Sequence, residues 1–186
     1  MNRRRFLTGA LGAGAVTLGT PWLATAQAAT EDDLAFANFG ASTEFLVRDF
    51  YAQALSAKLV SGPTAAVLKR GRAAAGQHAK ALSDLLTNAG DVAPLPEDFE
   101  FEWPADTFKT EKALVDTGRG VLRALLGVYQ TAAATASDQS YRVLYASLAA
   151  SVSQQIVALA GPASTEPFPI ATDLEAASDA LEAYLG

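Results

Sequence analysis

Cysteine is absent from the 186-residue sequence, and histidine occurs only once. Without cysteine the chain cannot form disulfides, thiolate metal sites or cysteine nucleophiles, and it has no cysteine for lipid attachment. A single histidine also argues against a serine hydrolase, because Ser151 and Ser153 lie on a different predicted helix from His78. Alternation of polar and apolar residues nowhere extends far enough to predict a β-sheet.

The first 28 residues have the pattern of an export signal. Residues 3–5 are arginines, a weakly hydrophobic stretch follows, and an Ala-Gln-Ala triplet ending at Ala28 forms a cleavage site. The run RRRFL resembles a twin-arginine signal, with Arg4 and Arg5 as the arginine pair. We predict cleavage after Ala28 and export by the twin-arginine route to the periplasm or the extracellular space. An uncleaved membrane anchor is disfavoured because glycines and Pro21 interrupt the apolar run.

Basic residues are few. The sequence has 14 Lys and Arg against 20 Asp and Glu, a net charge of −6. Removal of residues 1–28 takes away three arginines, which leaves 11 basic residues and a net charge of −9. Such a surface repels phosphate backbones and anionic lipid headgroups. We therefore expect neither a nucleic-acid partner nor stable membrane insertion after signal removal.

Residues 29–186 are predicted to form one helical domain, because apolar residues recur at three- and four-residue spacing between capping residues, glycines and prolines. The predicted segments are four long helices and a short fifth: Thr30 to about Val60, Pro63 to Asn88, about Thr107 to Ala136, the Ser137–Asp138 cap to just before Gly161, and a last helix from a capping box at Thr172. Mostly short connections predict an all-α antiparallel four-helix bundle with a short C-terminal fifth helix.

The long connection between the second and third helices alternates aromatic and acidic residues. Phe99, Phe101 and Trp103 are separated by Glu100 and Glu102. An extended chain would therefore have an aromatic side and an acidic side. We expect the aromatic side to clamp the connection onto the bundle, and a docking edge for a cationic or hydrophobic partner is the alternative.

Several segments together resemble an exported family of ferritin-like four-helix bundles. They are FANFGASTEFLVRDFYAQAL, with Glu44 ahead of a Phe-Tyr pair, HAKALSDLL, the PxPxxFxF pattern of residues 94–101, ALVDTG, and LAASVSQQIVAL. Their order and spacing extend the resemblance over nearly all of the chain after Ala28. The resemblance implies a ferritin-like bundle, the architecture that elsewhere holds di-iron or di-manganese centres.

The resemblance also implies a ligand set, namely a glutamate from each of two helices and a Glu-x-x-His pair from each of the other two. Glu44 and His78 stand at two of these positions. The matching segments place non-ligand residues at the rest: Ala75, Val115, Val152 and Gln155. Asp116 is one residue from Val115, which turns a helical side chain by about 100°.

We therefore expect Glu44 and His78 to be remnants of a metal site that satisfy each other by a hydrogen bond, with no cofactor bound. Iron or manganese held by this reduced ligand set is the alternative. The favoured interpretation is an exported bundle without enzymatic activity, a structural or binding protein of the cell envelope that contacts an unidentified protein or a second copy of itself. A metal-dependent oxidase or iron-handling protein is the second interpretation, and a bundle that encloses an apolar ligand is the third.

One basic cluster, formed by Lys69, Arg70 and Arg72, lies on the second predicted helix. In so acidic a chain we expect it on a solvated face, paired with nearby carboxylates. A phosphate-binding role is disfavoured because no glycine-rich loop accompanies the cluster.

Overall fold

A computed structural model describes residues 29–160 and 171–185 of the chain. Within these ranges the chain forms five α-helices: α1 (Glu31–Ser56), α2 (Gly62–Asn88), α3 (Glu111–Thr135), α4 (Gln139–Ala160) and α5 (Leu174–Leu181). The all-α bundle predicted from the sequence is confirmed. The predicted export signal, with Arg4, Arg5 and the cleavage site at Ala28, lies outside the described residues.

The ends of α1 follow local backbone chemistry. At its start Thr30 accepts a hydrogen bond from the Asp33 N–H, and the Asp33 carboxylate accepts one from the Thr30 N–H at 2.9 Å. This capping box satisfies two amides that a helix start leaves unpaired. The helix ends at Ser56, short of the predicted end at Val60, because Lys58 adopts a left-handed φ of 56°.

Two other helix starts differ from the prediction. α3 begins at Glu111 with Thr110 as its N-cap, four residues later than expected. The N-cap of α5 is Asp173, whose carboxylate accepts from the Ala176 N–H, so the predicted capping box at Thr172 is wrong by one residue. The Thr172 N–H donates instead to the carbonyl of Gly127, which ties the start of α5 to α3.

The four long helices form a ring in which every neighbouring pair is antiparallel. α1 packs on α2, α3 packs on α4, and the pairs α1/α3 and α2/α4 close the ring. α2 and α3 nevertheless run in the same direction, because both begin near the C-terminal end of α1. Phe108, just ahead of α3, packs on Phe50 near that end, with ring centroids 6.0 Å apart. The crossover, residues 89–110, therefore runs the length of the bundle.

The aromatic side chains of the crossover lie against α1, as expected. The Trp103 indole N–H donates to Asp49 Oδ2 at 2.7 Å, and its ring centroid is 5.5 Å from that of Phe50. The Phe99 ring lies 6.1 Å from that of Phe45. The aromatic side therefore clamps the crossover onto the bundle, and Phe99 and Phe101 are only partly buried by these contacts.

The core between the helices consists mainly of Leu, Val, Ala and aromatic side chains. Among the described residues no helix is long and apolar enough to cross a membrane. In the part of the chain that the structure describes, the buried polar or charged residues are Asp33, Ser42, Thr43, Glu44, Thr107, Gln155 and Ser178. Two of them, Glu44 and Gln155, belong to the metal-ligand positions considered from the sequence.

Candidate functional site in the bundle core

Glu44 is a fully buried carboxylate on α1, with 0% of the residue exposed. Its Oε1 lies 2.9 Å from His78 Nδ1 on α2 and accepts a hydrogen bond of 3.0 Å from the Tyr129 hydroxyl on α3. Burial raises the pKa of the Glu44 carboxyl above its ordinary value of 4.5, and the interactions with His78 and Tyr129 oppose that rise. Three helices are thus joined through one oxygen atom.

The second carboxylate oxygen of Glu44 differs from the first. Oε2 is buried and has no hydrogen-bond partner among the described residues. A buried carboxylate that accepts through only one oxygen is poorly solvated in its ionised form. The missing partner at Oε2 adds to the free-energy cost of ionising this carboxyl, in the same direction as the pKa shift.

A second buried hydrogen bond lies beside Glu44. The Tyr51 hydroxyl on α1 donates to Gln155 Oε1 on α4 at 2.8 Å. Burial raises the pKa of Tyr51, and the negative charge of Glu44 raises it further, so the two groups are electrostatically coupled. This pair joins α1 to the one long helix that the Glu44 network does not reach.

Tyr51 reaches Gln155 because α2 has a glycine at the point where the ring crosses it. A Cβ at Gly71 would lie 2.4 Å from Tyr51 Cζ and 2.8 Å from its hydroxyl oxygen. Any larger residue would have to displace the ring. Gly71 therefore positions the tyrosine within the core.

The structure places the other predicted ligand positions on α2 and α4 as follows. Ala75 and Val152 are both fully buried, and the Gln155 amide is bonded to Tyr51. Among the described residues there is no group of three or more His, Cys, Asp or Glu side chains that could hold a metal ion. The structure does bring Glu44 and His78 together, as expected.

The position predicted on α3 is wrong. The α3 residue that contacts Glu44 is Tyr129, fourteen residues beyond Val115 and about 21 Å further along a helix axis. Asp116 does not reach the core either, because its side chain is 52% exposed and pairs with Lys112. The one sequence signal for Tyr129 is that it continues the apolar spacing of α3, which predicts burial of the ring but not a hydrogen bond to Glu44.

A di-iron or di-manganese centre of the implied type requires four carboxylates and two imidazoles. At the six implied ligand positions the described core supplies one carboxylate, Glu44, and one imidazole, His78, and these are hydrogen-bonded to each other. Apolar or amide side chains stand where the other donors on α2 and α4 are expected. The residues present do not fit a di-metal centre.

Comparison with known proteins identifies the architecture. A family model described as a ferritin-like domain matches residues 32–161, well over half of the chain and nearly all of α1 to α4. No curated protein and no solved structure gave a significant match.

Proposed function

Because the chain belongs to the ferritin-like domain family, we propose that it is an exported, non-catalytic member that serves as a structural or binding protein in the cell envelope. Its partner on this proposal is another protein or a second copy of the chain. The observation that carries the proposal is the composition of the core, where Ala75, Val152 and Gln155 accompany a single Glu44–His78 pair.

The polar groups that remain in the core support a structural role. Glu44 joins α1 to α2 and α3, and Tyr51 joins α1 to α4, so together they link all four long helices. Buried hydrogen bonds of this kind disfavour alternative packings, because a shift of one helix would leave polar groups unpaired.

One observation favours a second candidate function. Glu44 Oε2 is buried without a partner among the described residues, which leaves a carboxylate oxygen available to a cation. The second candidate is a bundle that holds a single iron or manganese ion through Glu44 and His78 and handles iron or oxidises a substrate.

Metal analysis separates these two functions. We expect protein purified from the export compartment to contain iron and manganese far below one equivalent, and neither Fe²⁺ nor Mn²⁺ to raise its melting temperature under anaerobic conditions. The variants Glu44→Gln and His78→Gln should give the same result. One equivalent of metal that is lost in both variants but retained in Asp116→Asn, a surface control, would support the metal-handling function and contradict the proposal.

Export is supported by the arginines and the small-x-small triplet near the N-terminus. The twin-arginine route carries folded proteins, and a helical bundle rich in local contacts folds quickly. We expect the double variant Arg4→Lys/Arg5→Lys to accumulate in the cytoplasm at its uncleaved mass, whereas the control Arg3→Lys is exported and cleaved. Fractionation and mass spectrometry measure both outcomes, and equal export of the two variants would contradict the route.

A further inference from the structure

A groove of about 410 Å³ lies between α1, α2 and the crossover, away from the polar core. Its apolar lining includes Phe45 of α1 and Phe99 and Phe101 of the crossover. The last two rings are stacked, with centroids 5.7 Å apart and planes 4° from parallel. The volume falls within the range of small-molecule sites, about 300–1,000 Å³.

Two arginines, Arg48 of α1 and Arg72 of α2, also line the groove. The contacts Glu44–His78 and Tyr51–Gly71 set the register of the antiparallel helices α1 and α2. In this register Arg48 and Arg72 lie within about one helical turn of each other along the helix axes. Arg48 Cδ lies 4.0 Å from the point that a Cβ at Gly76 would occupy. Gly76 and Arg72 are four residues apart and so share a face of α2. The Arg48 side chain therefore lies over the face that carries Arg72.

Neither arginine has an ion-pair partner among the described residues. For Arg72, which belongs to the basic cluster of α2, this differs from the expectation that the cluster pairs with nearby acids. Three lysines of the chain do pair with an aspartate on the same or an adjoining turn, namely Lys80, Lys109 and Lys112. Two unpaired guanidinium groups at one groove are notable in a chain with an excess of acids. A guanidinium binds a carboxylate through two parallel hydrogen bonds.

The carboxylates at the groove limit which anions it accepts. Asp49 and Glu100 also line it, and Asp49 Oδ2 accepts the hydrogen bond from Trp103. Their two negative charges offset the two arginines, so a small multivalent anion gains little net attraction. A ligand with one carboxylate can contact the arginines while its apolar part covers the phenylalanines, which adds favourable burial of ring surface.

We propose that this groove binds a small amphipathic monocarboxylate, with the carboxylate on Arg48 and Arg72 and an aromatic or aliphatic body against Phe45, Phe99 and Phe101. The proposal goes beyond the proposed function and is independent of it, because metal in the core and ligand in the groove are measured separately.

The test is calorimetric titration of the full-length chain with four probes: phenylacetate, acetate, benzyl alcohol and sulfate. We expect phenylacetate to bind more tightly than acetate or benzyl alcohol, which each lack one half of the ligand, and more tightly than sulfate. The variant Arg48→Gln/Arg72→Gln should weaken phenylacetate binding by about tenfold or more. The control Lys80→Gln/Lys112→Gln removes the same charge elsewhere on the surface and should leave binding unchanged.

Circular dichroism of each variant verifies that the bundle is folded, and amide chemical shifts of residues 99–101 locate the bound probe. Three results would each overturn the proposal: no binding of phenylacetate at millimolar concentration, equal affinity in the arginine variant and the wild type, or sulfate binding as tightly as phenylacetate.

Discussion

Alanine at Gly118 is expected to lower the free energy of unfolding by about 2 kcal/mol. Gly118 lies where α3 meets α1, and a Cβ there would stand 2.4 Å from Phe50 Cζ and 2.5 Å from its Cε1. The ring has little room to move, because Phe50 is buried and packs against Trp103 and Phe108 of the crossover. The strain therefore spreads to the α1–α3 interface. Urea denaturation monitored by circular dichroism measures the resulting loss in the free energy of unfolding.

Gly120 provides the matched control on the same helix. A Cβ at Gly120 has no atom within 4 Å, so Gly120→Ala should raise stability by up to about 1 kcal/mol through helix propensity alone. The double variant Gly118→Ala/Phe50→Leu removes the clashing ring atoms, and its cost should be less than the sum of the single costs. Equal effects at Gly118 and Gly120, or strict additivity in the double variant, would contradict the packing argument.

Helix number and most helix ends were predictable because their signals are local. Thr30 caps α1 through residues within one turn of it, and Pro63 near the start of α2 and Gly90 just after its end mark boundaries by their own backbone preferences. The error at α1 has the same local origin. The positive φ of Lys58 ends the helix early, and a lysine gives no sequence signal for that conformation.

The position of α3 along the axis of α1 could not be predicted from such local signals. Apolar periodicity specifies which face of a helix is buried, but it does not specify how far the helix slides along its neighbour. That position depends on contacts between residues distant in sequence, such as Phe50 with Gly118 and Trp103 with Asp49. The sequence therefore indicated the bond between Glu44 and His78 on adjacent helices, but it placed Val115 where the folded chain has other α3 residues.

The second polar pair was missed for a related reason. The family resemblance explains Gln155 as a replaced ligand and Tyr51 as part of the Phe-Tyr pattern, and neither pattern predicts a hydrogen bond between the two. Their hydrogen bond depends on Gly71, which makes room for the ring on a third helix. A hydrogen bond that depends on residues from three helices leaves no pattern in the residue spacing of any one of them.

Methionine at Glu44 is expected to lower the free energy of unfolding by about 3 kcal/mol near pH 5. The substitution nearly preserves volume but removes the acceptor for His78 Nδ1 and for the Tyr129 hydroxyl. Tyr129 is fully buried, so its hydroxyl would remain unpaired in an apolar core. The triple variant Glu44→Met/His78→Leu/Tyr129→Phe replaces all three polar groups together and should recover most of the loss, because no unpaired group remains.

The pH dependence of this loss identifies the protonation state of Glu44. Burial raises the pKa of the folded-state carboxyl above 4.5, so the folded chain holds this proton more tightly than the unfolded chain. The stabilisation due to Glu44 is therefore complete below pH 4.5 and is lost as the pH rises through the raised pKa. Tyr51 and Tyr129 stay neutral in this range, because burial raises the pKa of each.

We thus expect the cost of Glu44→Met to shrink as the pH rises from 4.5 through the raised pKa of the folded-state carboxyl. The reference variant Glu44→Gln retains an acceptor oxygen that cannot ionise, so wild type should lose stability relative to it over the same interval. Parallel urea titrations of the three proteins measure both differences. A cost that grows with pH would mean that Glu44 is ionised and stabilising in the core, and only then would a charge-balancing cation beside Oε2 become the better explanation of this site.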